Sequence, residues 1–499
     1  MGKHVVVLDI GKTNKKLLAF DENLKVVESI VENISADESG DIHFERVDAI
    51  DEWFLGGLKK LAAEIEIGAV SITTHGATFA CVGADGELSV PLIAYTTDPG
   101  EEFNKRFFAK YGDARELHKR LSTPQLGAIA NVGRGIEFAR ENFPAEFAET
   151  TAILNYPQYF GFVLSGVKGA DSTYSGCHSY LWDFDTKSWS FMADEMGIRN
   201  LLPPEILSTE IPLGTVSAET AEKTGLAPDT IVGRGIHDSN ASLLPYIIKS
   251  TGRFVLNSTG TWCVAMCPAK DVSLSESDLD MGIFHNVDVF TNPVKTALFM
   301  GGEELRVHME AMEKRAGLSG HPDFNPETYQ KIIDEKRIFV LPGALPGTGP
   351  YPNSTSAVVE DGKTYLLSDI VAGEDVPPCY SDAETAYAAV NISLAVQTSK
   401  MLRGVGLQDG MTIYTEGGFR NNPGYLALLS ALNPGCTSLL SNIPEATAFG
   451  AALLGKAALE KRPLKELKAD FEIQTDKAPQ ATFEGLDAYD RAFAELAGE

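Results

Sequence analysis

The sequence predicts a mixed α/β protein built as two comparable halves. Three observations carry that expectation: an opening β-meander, a second strand–turn–strand unit near mid-chain, and a late strand that runs through a glycine loop into a helix. The chain has 499 residues, 44% hydrophobic and 22% charged, which suits a folded protein and exceeds what one compact core holds.

The meander occupies residues 4–31 as VVVLDI, a Gly-Lys-Thr-Asn turn, KKLLAF, an Asp-Glu-Asn turn at 21–23, and LKVVESIVE. An amphipathic helix is expected near Ile50–Glu64, a buried strand at Ala69–Thr73, a hairpin across Asp85-Gly86, and helices at 101–121 and 134–142. RFVLNSTGTWCVAM (253–266) again reads as strand, Gly/Ser/Thr turn, strand, and so as a second copy of the opening unit. TIYTEGGFRNN (412–422) is a strand entering a glycine loop and a helix, and EATAFGAALLGKAAL (445–459) is a helix of small residues. A boundary near 245 divides the chain into residues 1–244 and 245–499.

Composition excludes several classes. The net charge is −27, from 69 acidic and 42 basic residues, and no Lys/Arg run is present that could follow a phosphate backbone, so no nucleic acid is expected as partner. That acidity is compatible with a nucleotide, whose site is made by local backbone amides and a metal. In MGKHVVVLDIGK the apolar run is broken by Asp9, and stretches such as Leu243–Ile248 fall far short of the ~20 residues that span a bilayer. A cytoplasmic protein without a membrane partner is expected. The cysteines (Cys81, Cys177, Cys263, Cys267, Cys379, Cys436) are scattered without zinc-type spacing and read as reduced structural thiols.

Four segments have residues suited to chemistry. In DIGKTNKK (9–16), a strand ends in an acid and enters a tight turn; its amides can face phosphate oxygens, Asp9 can hold a hydrated magnesium ion and Lys16 can face an anion. The alternative is a plain hairpin with Asp, Gly and Asn as turn residues. STGTW (258–262) is a similar turn that would grip the same triphosphate from the other side if the halves face each other; alone it is only a turn. GRGIHDSNAS (233–242) places His237 and Asp238 just before a helix, where Asp238 is either that helix's N-cap or the carboxylate that phosphoryl transfer needs beside the attacking hydroxyl. EGGFRNN (416–422) lets backbone approach a flat base or ribose at Gly417 and Gly418, or simply caps a helix. No GxxxxGK[ST] and no GxGxxG motif is present.

In this order the segments resemble the FGGY carbohydrate kinases, members of the actin-like ATPase superfold, over nearly the whole chain. DIGKT is similar to that family's first phosphate motif, STGTW to its second, EGGFRNN with PEATAFGAAL (444–453) to its adenosine motif and closing helix, and IHD (236–238) to its catalytic pair. ITTHGATFACVGADGELSVPLIAY (72–95) is similar to the segment lining the sugar site, and LPGTGPYPN (345–353) to a Pro-rich loop.

The resemblance implies an α/β fold of two actin-like (ribonuclease H-like) lobes, each with a mixed sheet flanked by helices, around an interdomain cleft: residues 1–244 for the sugar and the catalytic Asp, residues 245–499 for the nucleotide. It implies an ATP-dependent kinase using Mg²⁺, with Asp238 as general base and Asp9 positioning the metal through water. His237, His75, Gly76 and Gln125 would line the sugar pocket. Gly11, Lys12, Thr13, Lys16, Gly260 and Thr261 would contact phosphates, and Gly417, Gly418 and Asn421 adenosine. The partner is a small sugar or polyol, with room for a homodimer. His before the Asp resembles the rhamnulokinase and fuculokinase branch and implies a deoxy-ketohexose; Thr78 and Gln158, where that branch has acids, depart from it, and Leu426 stands where Gln often follows the adenosine motif. The alternatives are a ribulose, xylulose or other polyol kinase of the same family, an actin-like ATPase coupled to a partner protein, and a catalytically silent sugar-binding regulator.

Overall fold

The architecture was analysed in a computed structural model that describes residues 2–317, 320–343 and 349–499. The Pro-rich segment expected at 345–353 lies partly outside the described residues.

Among the described residues, two seven-stranded sheets organise the fold. In the first, Val26–Asn33, Asn14–Phe20 and His4–Ile10 form the antiparallel meander; Ile67–Thr74 then adds parallel to His4–Ile10, and Ile231–Val232 and Ile236–His237 add parallel to Ile67–Thr74. The second repeats the plan. Pro293–Phe299, Cys263–Pro268 and Phe254–Thr259 run antiparallel, and Thr412–Gly417 and Thr437–Ser441 follow in parallel. The mid-chain unit is therefore a second copy of the first in topology. In both sheets the turn between the first two strands and the C-terminal end of the parallel neighbour lie at one edge, where ligands of open α/β sheets bind.

Burial explains the strand composition. Ile67–Thr74 is covered on both faces and is buried at every residue, so it reads as a continuous apolar and hydroxyl run instead of an alternation. Several expected elements differ in detail. The helix expected over 101–121 is two helices, Gly100–Tyr111 and Ala114–Leu121, because Gly112 takes φ 127° and Asp113 caps the second through the amides of Arg115 and Glu116. Across Asp85-Gly86 only one bridge forms, Val82 with Leu88; Phe79–Val82 pairs instead with Ala152–Asn155.

The small-residue helix, Ala446–Glu460, packs on His4–Ile10, Ile67–Thr74 and helix Asp238–Lys249. A Cβ on Gly450 would lie 1.9 Å from the carbonyl oxygen of Ala241, so the two helices cross backbone to backbone. A chain segment from the second half thus closes against the first sheet, with Val5, Val7, Ala448, Ala452 and Leu453 in one buried cluster. The division expected near residue 245 falls within helix Asp238–Lys249.

Candidate active site

The site begins at the end of strand His4–Ile10. Asp9 is in register with Lys16 on the neighbouring strand and Ile10 with Lys15, and the Gly11 amide closes the turn on the Asn14 carbonyl at 3.1 Å. Adjacent strand residues face opposite sides. Lys16 points to the side of Asp9 and places Nζ 2.6 Å from Glu445 Oε2, at the start of helix Ala446–Glu460. Burial pushes the Asp9 carboxyl up to about 7; Lys16 opposes the rise, and the charges of Asp238 and Glu445 add to it. Asp9 thus lies within electrostatic reach of two further acids and of one amine. That surplus negative charge fits a hydrated divalent cation such as Mg²⁺, with Asp9 as the residue nearest to holding it.

Lys15 points the other way and is fully buried. Its ammonium donates to the carbonyls of Gly11 and Lys12, both at 3.0 Å, and so ties down the turn from beneath. Burial lowers its pKa, and Glu45 opposes that shift. Glu45 Oε1 in turn stands 3.5 Å from His75 Nε2. Neither Lys15 nor Glu45 was singled out by the sequence, which pointed to Lys12 and Lys16; Lys12 is exposed and pairs with Glu38 at 3.6 Å.

The second turn is stitched to the EGGF loop. The Thr259 hydroxyl donates to the Glu416 carbonyl and accepts from the Phe419 amide at 3.0 Å. Gly417 adopts φ 83°, and a Cβ there would lie 1.9 Å from the Thr259 carbonyl oxygen, so only glycine fits. Gly302, at the start of helix Gly301–Ala316, sits as closely on Gly260, its Cβ position being 2.2 Å from the Gly260 oxygen. Gly260, Thr261, Gly417, Gly418 and Asn421 are all exposed at this edge. Arg306 holds the Glu303 carboxyl of that same helix below its ordinary range, and the Lys12 charge adds a smaller share, which places the first turn near the second.

Asp238 opens helix Asp238–Lys249 but is not its N-cap. His237 takes that position, its Nδ1 accepting from the Ser239 amide at 3.2 Å. With Nδ1 an acceptor and burial holding the imidazole neutral, Nε2 bears the proton. A Cβ on Gly76 would lie 2.5 Å from that Nε2, which therefore looks out over the His75-Gly76 turn. The Tyr174 hydroxyl fixes the turn, accepting from the Thr78 amide at 2.9 Å and lying 2.7 Å from the Thr78 carbonyl oxygen. The His75 ring stands 5.0 Å from Tyr95 and 5.2 Å from Tyr156. Gln158 is structural: buried, it donates to Asp171 at 3.2 Å and to the Arg234 carbonyl at 2.7 Å, bracing the loop that delivers His237. At the far end of the same helix-bearing segment, Tyr246 Oη lies 2.9 Å from Glu416 Oε2, tying the Asp238 helix to the EGGF loop.

The structure brings together Asp9, Lys16 and Asp238, and separately His75, Gly76 and His237, with Asp238 shared between the two groups. Gln125 is exposed in the 122–131 loop, and no contact among the described residues ties it to His75 or His237.

Comparison with known proteins shows the family. Residues 4–245 match the N-terminal domain of the FGGY family of carbohydrate kinases, and residues 251–463 match the FGGY C-terminal domain. The chain belongs to the FGGY family of carbohydrate kinases. It is 26% identical to an L-fuculokinase of Salmonella typhi over 286 residues, 54% of this chain and 58% of that protein. It is 32% identical to an L-xylulose/3-keto-L-gulonate kinase of Escherichia coli (strain K12) over 136 residues, 26% of each. The fold superposes on a carbohydrate kinase from Novosphingobium aromaticivorans with a TM-score of 0.79 at 25% identity, covering 99% of both chains. Among the described residues no helix is long and apolar enough to cross a membrane.

Proposed function

We propose that this chain is an ATP-dependent kinase that phosphorylates a hydroxyl of a small ketose, with residues 1–244 holding the sugar and residues 245–499 the nucleotide, working in the cytoplasm. The observation that carries the reading is the position of Asp238: at the first turn of a helix, within reach of the charge of Asp9 on the phosphate side and one residue from the Nε2–H of His237 on the sugar side.

In this mechanism His237 donates from Nε2 to a sugar hydroxyl and Asp238 accepts the proton of the hydroxyl that attacks. The bond from the γ-phosphorus to the bridging oxygen breaks, a new bond to the sugar oxygen forms, and ADP leaves. The amides of the Gly11–Thr13 and Gly260–Thr261 turns, Lys12 and Lys16 meet the charge on the transferring group, and the helix N-terminus adds its partial positive charge. Mg²⁺, held through Asp9, would neutralise phosphate charge. Gly417, Gly418 and Asn421 would receive the adenosine.

For the sugar, the His237-Asp238 pair and the fuculokinase relative favour a deoxy-ketohexose, L-fuculose or L-rhamnulose. The 32% match to an L-xylulose/3-keto-L-gulonate kinase favours a second reading, another ketose. Coupled ADP release with Mg-ATP across L-fuculose, L-rhamnulose, xylulose, ribulose and glycerol separates them. Strong stimulation by one deoxy-ketohexose is expected; stimulation by a pentulose alone would shift the assignment, and a flat panel would sink the kinase reading.

Lys15 offers a narrower check. Lys15→Met keeps the bulk and removes both donors to the turn, and is expected to weaken ADP binding about tenfold, the worth of a charge-assisted hydrogen bond, with the sugar KM little changed. Lys15→Arg should restore part of the loss. Calorimetric titration with ADP reads the effect; equal weakening of sugar and nucleotide would show a general loss of structure instead.

A further inference from the structure

Behind the Gly76 turn, three side chains meet that the phosphoryl-transfer reading does not need as a group. Cys177 Sγ lies 3.4 Å from His237 Nε2, and one donor atom from each of Cys177, His178 and His237 falls within 4.8 Å of the others. Two of the three also flank the glycine: the Cβ position of Gly76 is 2.5 Å from His237 Nε2 and 3.2 Å from His178 Cε1. The cluster therefore borders the sugar pocket.

Their chemistry is that of a cation site. A sulfur and a nitrogen on one tetrahedral zinc, at about 2.3 and 2.0–2.1 Å from the metal, stand about 3.5 Å apart. The 3.4 Å between Cys177 and His237 already matches such an edge. His178 Nδ1 is enclosed without a hydrogen-bond partner, a cost that a ligand would remove. A metal-bound histidine needs an acceptor at its other ring nitrogen, and Asp238 Oδ1 stands 3.3 Å from His237 Nδ1. The Ser239 amide, which now shares that nitrogen, also has Asp238 Oδ1 at 2.6 Å.

We propose that Cys177, His178 and His237 form a site for a thiophilic divalent cation of the zinc class, with three protein ligands and an open position toward the sugar pocket, so that cation and sugar exclude each other. On binding, the sulfur–hydrogen bond of Cys177 breaks and its proton goes to solvent, His237 gives up its Nε2 proton and takes one at Nδ1 facing Asp238, and the sulfur and the freed nitrogens bond to the metal; no redox change occurs. The spacing of the cysteines concealed the site because His237 is brought in by the fold, from the strand beside Ile67–Thr74. The competition with sugar rests on the kinase reading; the binding itself does not.

Cd²⁺ is the probe, because its thiolate bond absorbs in the ultraviolet whether or not the protein is active. Titration of the full chain should give a thiolate band that saturates at one equivalent, and Cys177→Ser should lose that band, with affinity at least about 100-fold lower. Cys177→Ala serves as the second variant, with circular dichroism confirming the fold of both. In the ADP-release assay, Zn²⁺ should raise the apparent sugar KM of the wild type about tenfold or more and leave Cys177→Ser nearly unaffected. An unchanged band in the variants would place the metal on another sulfur, such as the half-buried Cys436, and overturn the proposal, as would the absence of any band. A band in the wild type with no sugar-stimulated ADP release would support the cation site and reject the kinase reading alone.

Discussion

Asp238→Asn is expected to lower sugar-dependent turnover by about 10²–10⁴-fold, the range associated with removing a general base, while ADP affinity stays within about threefold of wild type. The split follows from where the carboxylate stands. Asp238 is at the opening of its helix, and the helix is held independently of it: His237 supplies the cap, Gly450 packs on Ala241, and Tyr246 reaches Glu416. Asparagine keeps the shape and the contact to the Ser239 amide through its carbonyl oxygen, so the variant should fold. What it loses is the capacity to take a proton. Rapid-quench turnover and ADP titration on the same preparation check this, and a parallel fall in both would mean that Asp238 acts in nucleotide binding.

The second large effect is at Asp9. Its carboxyl is held up to about 7, so the folded protein binds this proton more tightly than the unfolded chain, whose value is near 3.8. The sign follows: stability of the empty protein is undiminished below about pH 4, falls as pH rises toward 7, and carries the full cost of the buried charge above that. Asp9→Asn removes the charge and is expected to stabilise the empty protein at pH 8 by about 2 kcal/mol, a value reduced from the full shift because solvent reaches part of the side chain. The gain should vanish near pH 4. The same variant should lose the metal's contribution, with kcat/KM for Mg-ATP falling by about 10²–10³-fold. Chemical denaturation at the two pH values, beside kinetics, tests both halves; a less stable variant would contradict the electrostatic account of Asp9.

Much of this site could be read from sequence because its parts are turns between strands. Gly11, Gly260, Gly417 and Gly418 are punctuation at the ends of apolar runs, and the order of the four motifs carried the family resemblance. The residues that were missed act through burial. Lys15 and Lys16 are neighbours in the same strand, and alternation says only that they face opposite sides, not that the first is fully buried under the Gly11 turn. Glu45 lies between elements, in a stretch without periodicity, so nothing local marked its approach to His75. Gln158, read as a departure in the sugar lobe, instead supports the loop that ends in His237. Helix Ala446–Glu460 shows little amphipathic pattern because it is enclosed on several sides, against the first sheet and helix Asp238–Lys249.

The most direct test of phosphoryl transfer to sugar is the stoichiometry of its products. With Mg-ATP and the best sugar of the panel, one phosphorylated sugar should appear by mass spectrometry for each ADP released, with almost no free phosphate, and ADP release should nearly cease when the sugar is withheld. Release of ADP and inorganic phosphate together, at a rate that no sugar alters, would contradict the account and identify the site as that of a hydrolytic ATPase.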